Sequence, residues 1–461
     1  MILKLFFIFI FGALIDASFA ADKSMTIVAV GDAVLAKEKM LILEPYVAKG
    51  ISGADRERVN ELVELFRNDF SYYKSRFELD TANYSVSRND RNVSFMDLTS
   101  LAGRGIEHIV KLSFLLEGGK LKYDIKHYKS STGQALYAQD GLVPIFELRT
   151  WGHQVANAIY KGITGVDSIF ESKVIFVSDR PTVNRKEPIK ELYIADFDGK
   201  NLERLTYFNG NVISPDMSKD RKKIIYSLIK DSVRGRGAGK IKRDRAIELY
   251  MYDTKTKQNE LISNFEGVNS GAIFISNNDN ENIALTLSFS GNAEIYEMNI
   301  KTKKLRQITK HLSIDVDPSF SADGKLMTFL SGRSGDPMVY IMDPSVVEQS
   351  VVRIGFVGQF NATPRFSPDG KEIAFSSWLE NSFDIFRMSV DGSNLVRLTK
   401  DFGSNEEPTY SPDGQFILFS SQRVISRERA VQNLYIMNRD GDVIAPVIVN
   451  FGNCTTPRWS K

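Results

Sequence analysis

The sequence predicts a small α/β domain followed by an all-β six-bladed β-propeller that the C-terminal strand closes. Three observations predict it. A turn phrase recurs as FSADGKLMTFLS (Phe320 to Ser331), FSPDGKEIAFSS (Phe366 to Ser377) and YSPDGQFILFSS (Tyr410 to Ser421), with its aspartates 46 and then 44 residues apart, the period of a blade repeat. Around it, a serine recurs at Ser218, Ser276, Ser321, Ser367, Ser411 and Ser460, preceded by three residues by Pro215, Ile273, Pro318, Pro364, Pro408 and Pro457. An aromatic ring recurs inside a short apolar strand at Tyr193, Tyr250, Tyr296, Tyr340, Phe386 and Tyr435.

Each repeat reads as four short strands, for example PRFS, EIAFSS, DIFRMS and NLVRLT, with the proline at the first residue of the first strand, where its missing donor is tolerated. A four-stranded sheet with two apolar faces buries both only by stacking against its neighbours in a ring. The last stretch, TTPRWSK, reads as a first strand alone, whereas SKVIFV (Ser172 to Val177) reads as a second strand. The two are expected to join in one blade, which removes the open sheet edges.

Three sections are expected, at residues 1–20, 21–165 and 166–461. In the first, Lys4, the run LFFIFIFGALI and small residues at Ser18 and Ala20 read as a secretory signal peptide cleaved after Ala20, with a retained N-terminal anchor as the alternative. The run is shorter than a membrane-crossing helix needs, and no later segment approaches that length, so no direct membrane span is expected. KSMTIVAVGDA follows as an isolated apolar strand: an edge strand of the first domain, or a segment that pairs with another protein by strand addition. KMLILEPYV then reads as a buried strand, and ADRERVNELVELFRNDF as an amphipathic helix with Val59, Leu62, Val63, Leu65 and Phe66 inward. FELD is a strand, IEHIVKLSFLLEGGKLKYDIKHYK a hairpin turning at Gly118 and Gly119, and TWGHQVANAIYKGITG a second helix with Thr150 as its N-cap.

Composition narrows the function. Lysine and arginine total 59 against 57 acidic residues, so no global field points to nucleic acid. Cys454 is the only cysteine, which excludes an internal disulfide framework. No G-x-S-x-G elbow occurs, and RGRGAGKIKRDR (Arg234 to Arg245) lacks both the leading glycine and the Ser or Thr of a phosphate loop, leaving a long solvated insertion in the second blade. His108, His127, His153 and His311 have no metal-ligand spacing, and His153 reads as a half-buried helix residue. The aspartate of S-P-D-G reads as a turn residue bonding its own backbone. Neither an enzyme nor a cofactor or metal is expected.

The loops that lead from an outer strand to the next inner strand end at Ser214, Ala272, Asp317, Thr363, Glu407 and Thr456, and gather on one face around the channel mouth with Asp315 and Glu406. They are solvated turn residues or a binding face.

The helix WGHQVANAIYKGITG running into KVIFVSD, the small α/β domain, the leader and the six repeats together resemble the TolB family, periplasmic propellers of the Tol-Pal system. The resemblance implies a non-catalytic adaptor in the periplasm that supports outer-membrane integrity and constriction at cell division. It implies that the peptidoglycan-associated lipoprotein Pal binds the propeller face, here Asn269, Ser270, Ala272, Asp315, Asp317, Thr363, Glu406, Glu407 and Thr456, with other peptidoglycan-linked outer-membrane proteins as further partners. It also implies docking of TolA on the first mature segment, here Thr26, Ile27, Val28, Ala29, Val30, Gly31, Asp32 and Ala33, matched by position and apolar character. An enzyme would instead carry a polar cluster converging at the channel, and a small-molecule sensor would bind its ligand without a macromolecular partner; co-purification from envelopes separates these classes.

Overall fold

The computed structural model describes residues 36–82, 84, 92–182, 189–237, 240–275, 281–426 and 429–460. The leader, the segment Thr26 to Ala33 and Ser276 lie outside them. The first domain is one sheet of β1 (Glu38–Ile42), β2 (Tyr46–Val47), β3 (Phe77–Asp80), β4 (Ile106–Glu117), β5 (Lys120–Lys129) and β6 (Gln134–Val143), in the order β3-β1-β4-β5-β6 with β2 beside β4. β1 runs parallel to β3 and β4, and the β4-β5 hairpin turns through Gly118 and Gly119, both left-handed.

Three helices accompany the sheet: α1 (Gly53–Tyr72), α2 (Phe95–Gly103) and α3 (Leu148–Thr164). Ser52 caps α1 by accepting from the Asp55 amide at 3.1 Å. Val59, Leu62, Val63, Phe66 and Phe70 recur every three or four residues and form its buried stripe. The α1–α3 contact is close because of Gly152, where a Cβ would stand 2.5 Å from a Leu62 methyl. Thr150 is not the cap of α3. The helix grows out of a 3₁₀ turn at Ile145–Glu147 and carries no side-chain cap bond, so Thr150 lies in its first turn. Gly165, at φ 81°, ends it by returning its amide to the Lys161 carbonyl.

Six four-stranded sheets follow. In blade 1 the C-terminal strand Cys454–Ser460 is innermost and pairs antiparallel with Lys173–Ser178, so the ring closes with strands from both ends of the propeller. The inner strands of blades 2 to 6 are Asn211–Met217, Asn269–Phe274, Asp315–Phe320, Asn361–Phe366 and Ser404–Tyr410. The recurring ring explains why the blades repeat. On the third strand it stands directly opposite an aromatic of the second in five blades: Phe176 and Tyr193, Tyr226 and Tyr250, Phe329 and Tyr340, Phe375 and Phe386, Phe419 and Tyr435. Their centroids are 5.7 to 6.1 Å apart, the spacing of favourable ring pairs.

The turn phrase is a hydrogen-bonded unit. Ser321 donates to Asp323 at 2.7 Å, Asp323 accepts from the Lys325 amide at 3.1 Å, and the Leu326 amide returns to the serine at 3.0 Å; the turns at Ser218, Ser367 and Ser411 repeat this. Blade 6 puts its copy to a second use. Tyr73, at the end of α1, donates to Asp413 at 2.6 Å and accepts from the Ile169 amide at 2.9 Å, while its ring lies 5.1 Å from Phe416. The first domain therefore shares its core with blades 1 and 6 on the rim that carries the S-P-D-G turns.

Candidate functional site

The proline of each repeat does not begin its strand. It sits inside, as the second of two residues that oppose a single residue of the neighbouring strand: Thr363 and Pro364, for example, fall between the pairs Ala362–Ser376 and Arg365–Ala374. A β-bulge tolerates the missing donor that a regular inner strand would not. The residue before the proline adopts left-handed backbone at Ser214 (φ 48°), Asp317 (55°), Thr363 (48°), Glu407 (59°) and Thr456 (47°). Left-handed backbone is uncommon for residues other than glycine, and for β-branched threonine it is an outlier. Such strain gathers where function holds the backbone in place.

Blade 3 is offset by one from its sequence alignment. Its bulge falls between Ser270 and Ile273, so Gly271 (φ 62°) takes the left-handed place and Ala272 that of the proline. Ile275, whose amide bonds the Asn282 carbonyl, stands where the other blades have serine. A glycine supplies the conformation that the other blades force upon side chains.

These bulges encircle the channel on the rim opposite the first domain. Six of the nine residues expected on a binding face are half-buried there: Ser270, Asp317, Thr363, Glu406, Glu407 and Thr456. The other three are buried. Asn269 accepts from Ser263 at 2.5 Å and donates to the Phe265 carbonyl at 2.7 Å, holding its loop. Asp315 takes Arg333 at 2.6 Å, and the same guanidinium reaches Glu348. Ala272 is 1% exposed, so a larger side chain there would disturb the fold before it met a partner.

The residue after each proline resumes the pairing of the inner strand: Asp216, Ser319, Arg365, Thr409 and Arg458. Sequence reading missed Arg365 and Arg458, which are 7% and 8% exposed. Their signal was a charge one place beyond a recurrent proline, in a strand whose neighbours are apolar. Polar contacts here run from blade to blade. Asp216 accepts from the Phe274 amide at 2.9 Å, Arg365 donates to Asp317 at 2.8 Å, the Glu407 amide donates to Ser376 at 3.1 Å, and the Thr456 amide donates to the Glu407 carboxylate. Burial, then the neighbouring Arg365 guanidinium, pulls the Arg458 side chain down to about 10. Burial pushes the Asp216 and Glu407 carboxyls above their ordinary range, and burial with the Glu407 charge pushes Glu406 to about 7. The mouth thus offers fixed backbone, hydroxyls, and two carboxyls held above their ordinary range.

The histidines assemble more than their spacing suggested. His153 is buried, with Nδ1 2.8 Å from the Asp69 carboxylate. His108 Nδ1 lies 2.9 Å from His127 Nε2, and its Nε2 lies 2.6 Å from Glu38. Among the described residues, Glu38, Glu107 and His108 bring three possible ligand atoms within 4.8 Å. Arg76 already engages Glu38 at 3.0 Å, and a cation would have to displace it. No described helix is long and apolar enough to cross a membrane.

The family model of the TolB beta propeller domain matches residues 160–461. A protein TolB homolog of Chlorobium luteolum is 31% identical over 255 residues, 55% of this chain and 52% of the relative. The Tol-Pal system protein TolB of Francisella tularensis is 30% identical over 232 residues, 50% of this chain and 49% of the relative. The chain thus spans about half the length of these curated relatives. The crystal structure of TolB from Acinetobacter baumannii superposes with a TM-score of 0.73 at 25% identity, covering 92% of this chain and 97% of that one.

Proposed function

This chain belongs to the TolB β-propeller family, and on that premise we propose that it is a non-catalytic adaptor of the Tol-Pal envelope system. In this reading residues 1–20 direct export to the periplasm, 21–165 form the docking domain and 166–461 the propeller. The channel mouth, with Ser270, Asp317, Thr363, Glu406, Glu407 and Thr456, receives the peptidoglycan-associated lipoprotein, and Thr26 to Ala33 receives TolA. The link between the two membranes then supports outer-membrane integrity and constriction at division.

The observation that carries the reading is the row of left-handed, non-glycine residues on the mouth at Asp317, Thr363, Glu407 and Thr456. Stability alone does not require side chains there, since Gly271 fills the same place in blade 3 without strain. The experiment is a pull-down of the lipoprotein's periplasmic domain by the purified chain, with a second capture by TolA before and after removal of residues 22–33. Capture of the lipoprotein by both forms and of TolA by the full form alone is expected. A chain that captures neither partner contradicts the adaptor reading.

A further inference from the structure

Adjacent side chains of a regular strand point to opposite faces. Glu107 and His108 are adjacent in β4, yet a carboxylate oxygen of the one and a ring nitrogen of the other meet a carboxylate oxygen of Glu38, all within 4.8 Å of one another. The register explains the convergence. Lys39 of β1 stands opposite Ile106 and Met40 opposite His108, so Glu107 is an extra residue, a β-bulge in a parallel pair, where bulges are rare. Bulges re-aim side chains, and this one places an imidazole between two carboxylates. Behind that imidazole stands a second. His127, opposite Val110 on β5 and fully buried, brings Nε2 to 2.9 Å from His108 Nδ1, and its own Nδ1 has no partner. Two buried imidazoles carry a desolvation cost that an apolar pair avoids. They match the support of a metal-bound histidine, which donates its outer N–H to a fixed acceptor so that the other nitrogen faces the ion.

His108 Nε2 lies 2.6 Å from Glu38 Oε2. Ligand atoms about 2.0–2.1 Å from a tetrahedral zinc ion stand roughly 3.3 Å apart, so Glu38 withdraws by less than about 1 Å while the exposed Glu107 side chain closes in and water completes the set. Arg76 supplies the counter-charge of Glu38, and it is loosely held. Its Nη2 reaches Glu38 Oε1 at 3.0 Å, its Nε is buried without a partner, and its side chain is 40% exposed. A divalent ion replaces that single charge with two. The imidazole selects the kind of ion: it suits zinc, whereas magnesium and calcium take oxygen ligands.

We propose that Glu38, Glu107 and His108 bind one zinc ion, with His127 positioning His108 and Arg76 as the group the ion displaces. The ion ties the start of β1 to β4. This stands apart from the adaptor reading, because its test needs no protein partner. The full chain, without a histidine tag, is titrated with zinc chloride by calorimetry, and with magnesium and calcium chlorides for comparison. One zinc ion per chain, with a dissociation constant below about 10 μM, and no response to magnesium or calcium at about 1 mM are expected. Glu107→Gln, at an exposed position, should weaken zinc at least about tenfold while the zinc-free protein melts within about 2 °C of wild type. His127→Leu, which removes the acceptor at similar volume, should weaken it about tenfold, and His127→Gln, which offers an acceptor again, should weaken it less. Arg76→Gln should bind zinc about threefold tighter or more, since it removes the competitor for Glu38. Zinc binding weaker than about 10 μM, Glu107→Gln titrating like wild type, or Arg76→Gln weakening the site overturns the proposal in favour of a plain ion-pair cluster.

Discussion

Replacing Trp459 by alanine tests ring closure with one side chain. The indole lies near the end of the strand Cys454–Ser460, is 8% exposed, and donates from Nε1 to Ser172 Oγ at 2.7 Å. It belongs to the core that joins blade 1 to the first domain. Truncating a buried tryptophan costs about 3–5 kcal/mol through lost burial and the residual cavity. The hydrogen bond contributes roughly 1 kcal/mol more, because Ser172 keeps its own bond to the Ile169 carbonyl. At about 2–4 °C per kcal/mol for a unit of this size, Trp459→Ala should melt roughly 8–24 °C below wild type. Trp459→Phe, which loses the hydrogen bond and part of the area, should lose about a third of that. Deleting residues 455–461 removes most of the innermost strand and leaves Lys173–Ser178 as an open edge, so the deletion should fail to fold. Differential scanning fluorimetry measures all three. Trp459→Ala melting within about 2 °C of wild type would show that the terminal strand contributes little to closure.

Tyr73→Phe leaves the buried Ile169 amide and the Asp413 carboxylate without their shared partner, and should cost about 1–3 kcal/mol in urea unfolding while loosening the first domain against blade 6. Unchanged unfolding would dissociate that tyrosine from the joint. Glu406 is held to about 7 against its ordinary 4.5, so the folded chain keeps a proton that the unfolded chain loses between those values. Its contribution to stability is therefore full below about pH 4.5 and fades as the pH rises through 7; melting temperatures from pH 4 to 8 should show this decline flattened in Glu406→Gln, and parallel curves would refute it.

Much of the architecture was legible because the propeller writes each requirement six times. The facing ring pair, the serine–aspartate turn and the bulge proline return in nearly every blade, so an isolated ambiguity is outvoted. The bulge itself was not legible: a proline opening a strand and a proline inside a bulge leave the same letters, and only the register between strands separates them. That one-residue ambiguity also misplaced Ile273 and hid Gly271. In the first domain, α2 exposes Phe95 and Met96 at 76% and 82%, which blurs its helical stripe, and β6 is an edge strand with both faces largely in water. The site was legible as a face and not as a set of contacts. Arg365 and Arg458 act through partners on other blades, and His153 meets Asp69 across 84 residues of chain, couplings that no local pattern carries.

The claim that the strained channel mouth is the partner face is tested most directly at Thr363. Its backbone is already left-handed at φ 48°, so an unbranched arginine adds no conformational cost there, and the half-buried side chain gives up one long hydrogen bond, Oγ1 to Ser376 Oγ at 3.3 Å. The periplasmic domain of the lipoprotein is titrated into wild-type and Thr363→Arg chains by calorimetry, with the melting temperature of each recorded alongside. Affinity at least tenfold weaker, about 1.4 kcal/mol or more, is expected at a melting temperature within about 4 °C of wild type; equal affinity in the two chains would show that this face does not meet the lipoprotein.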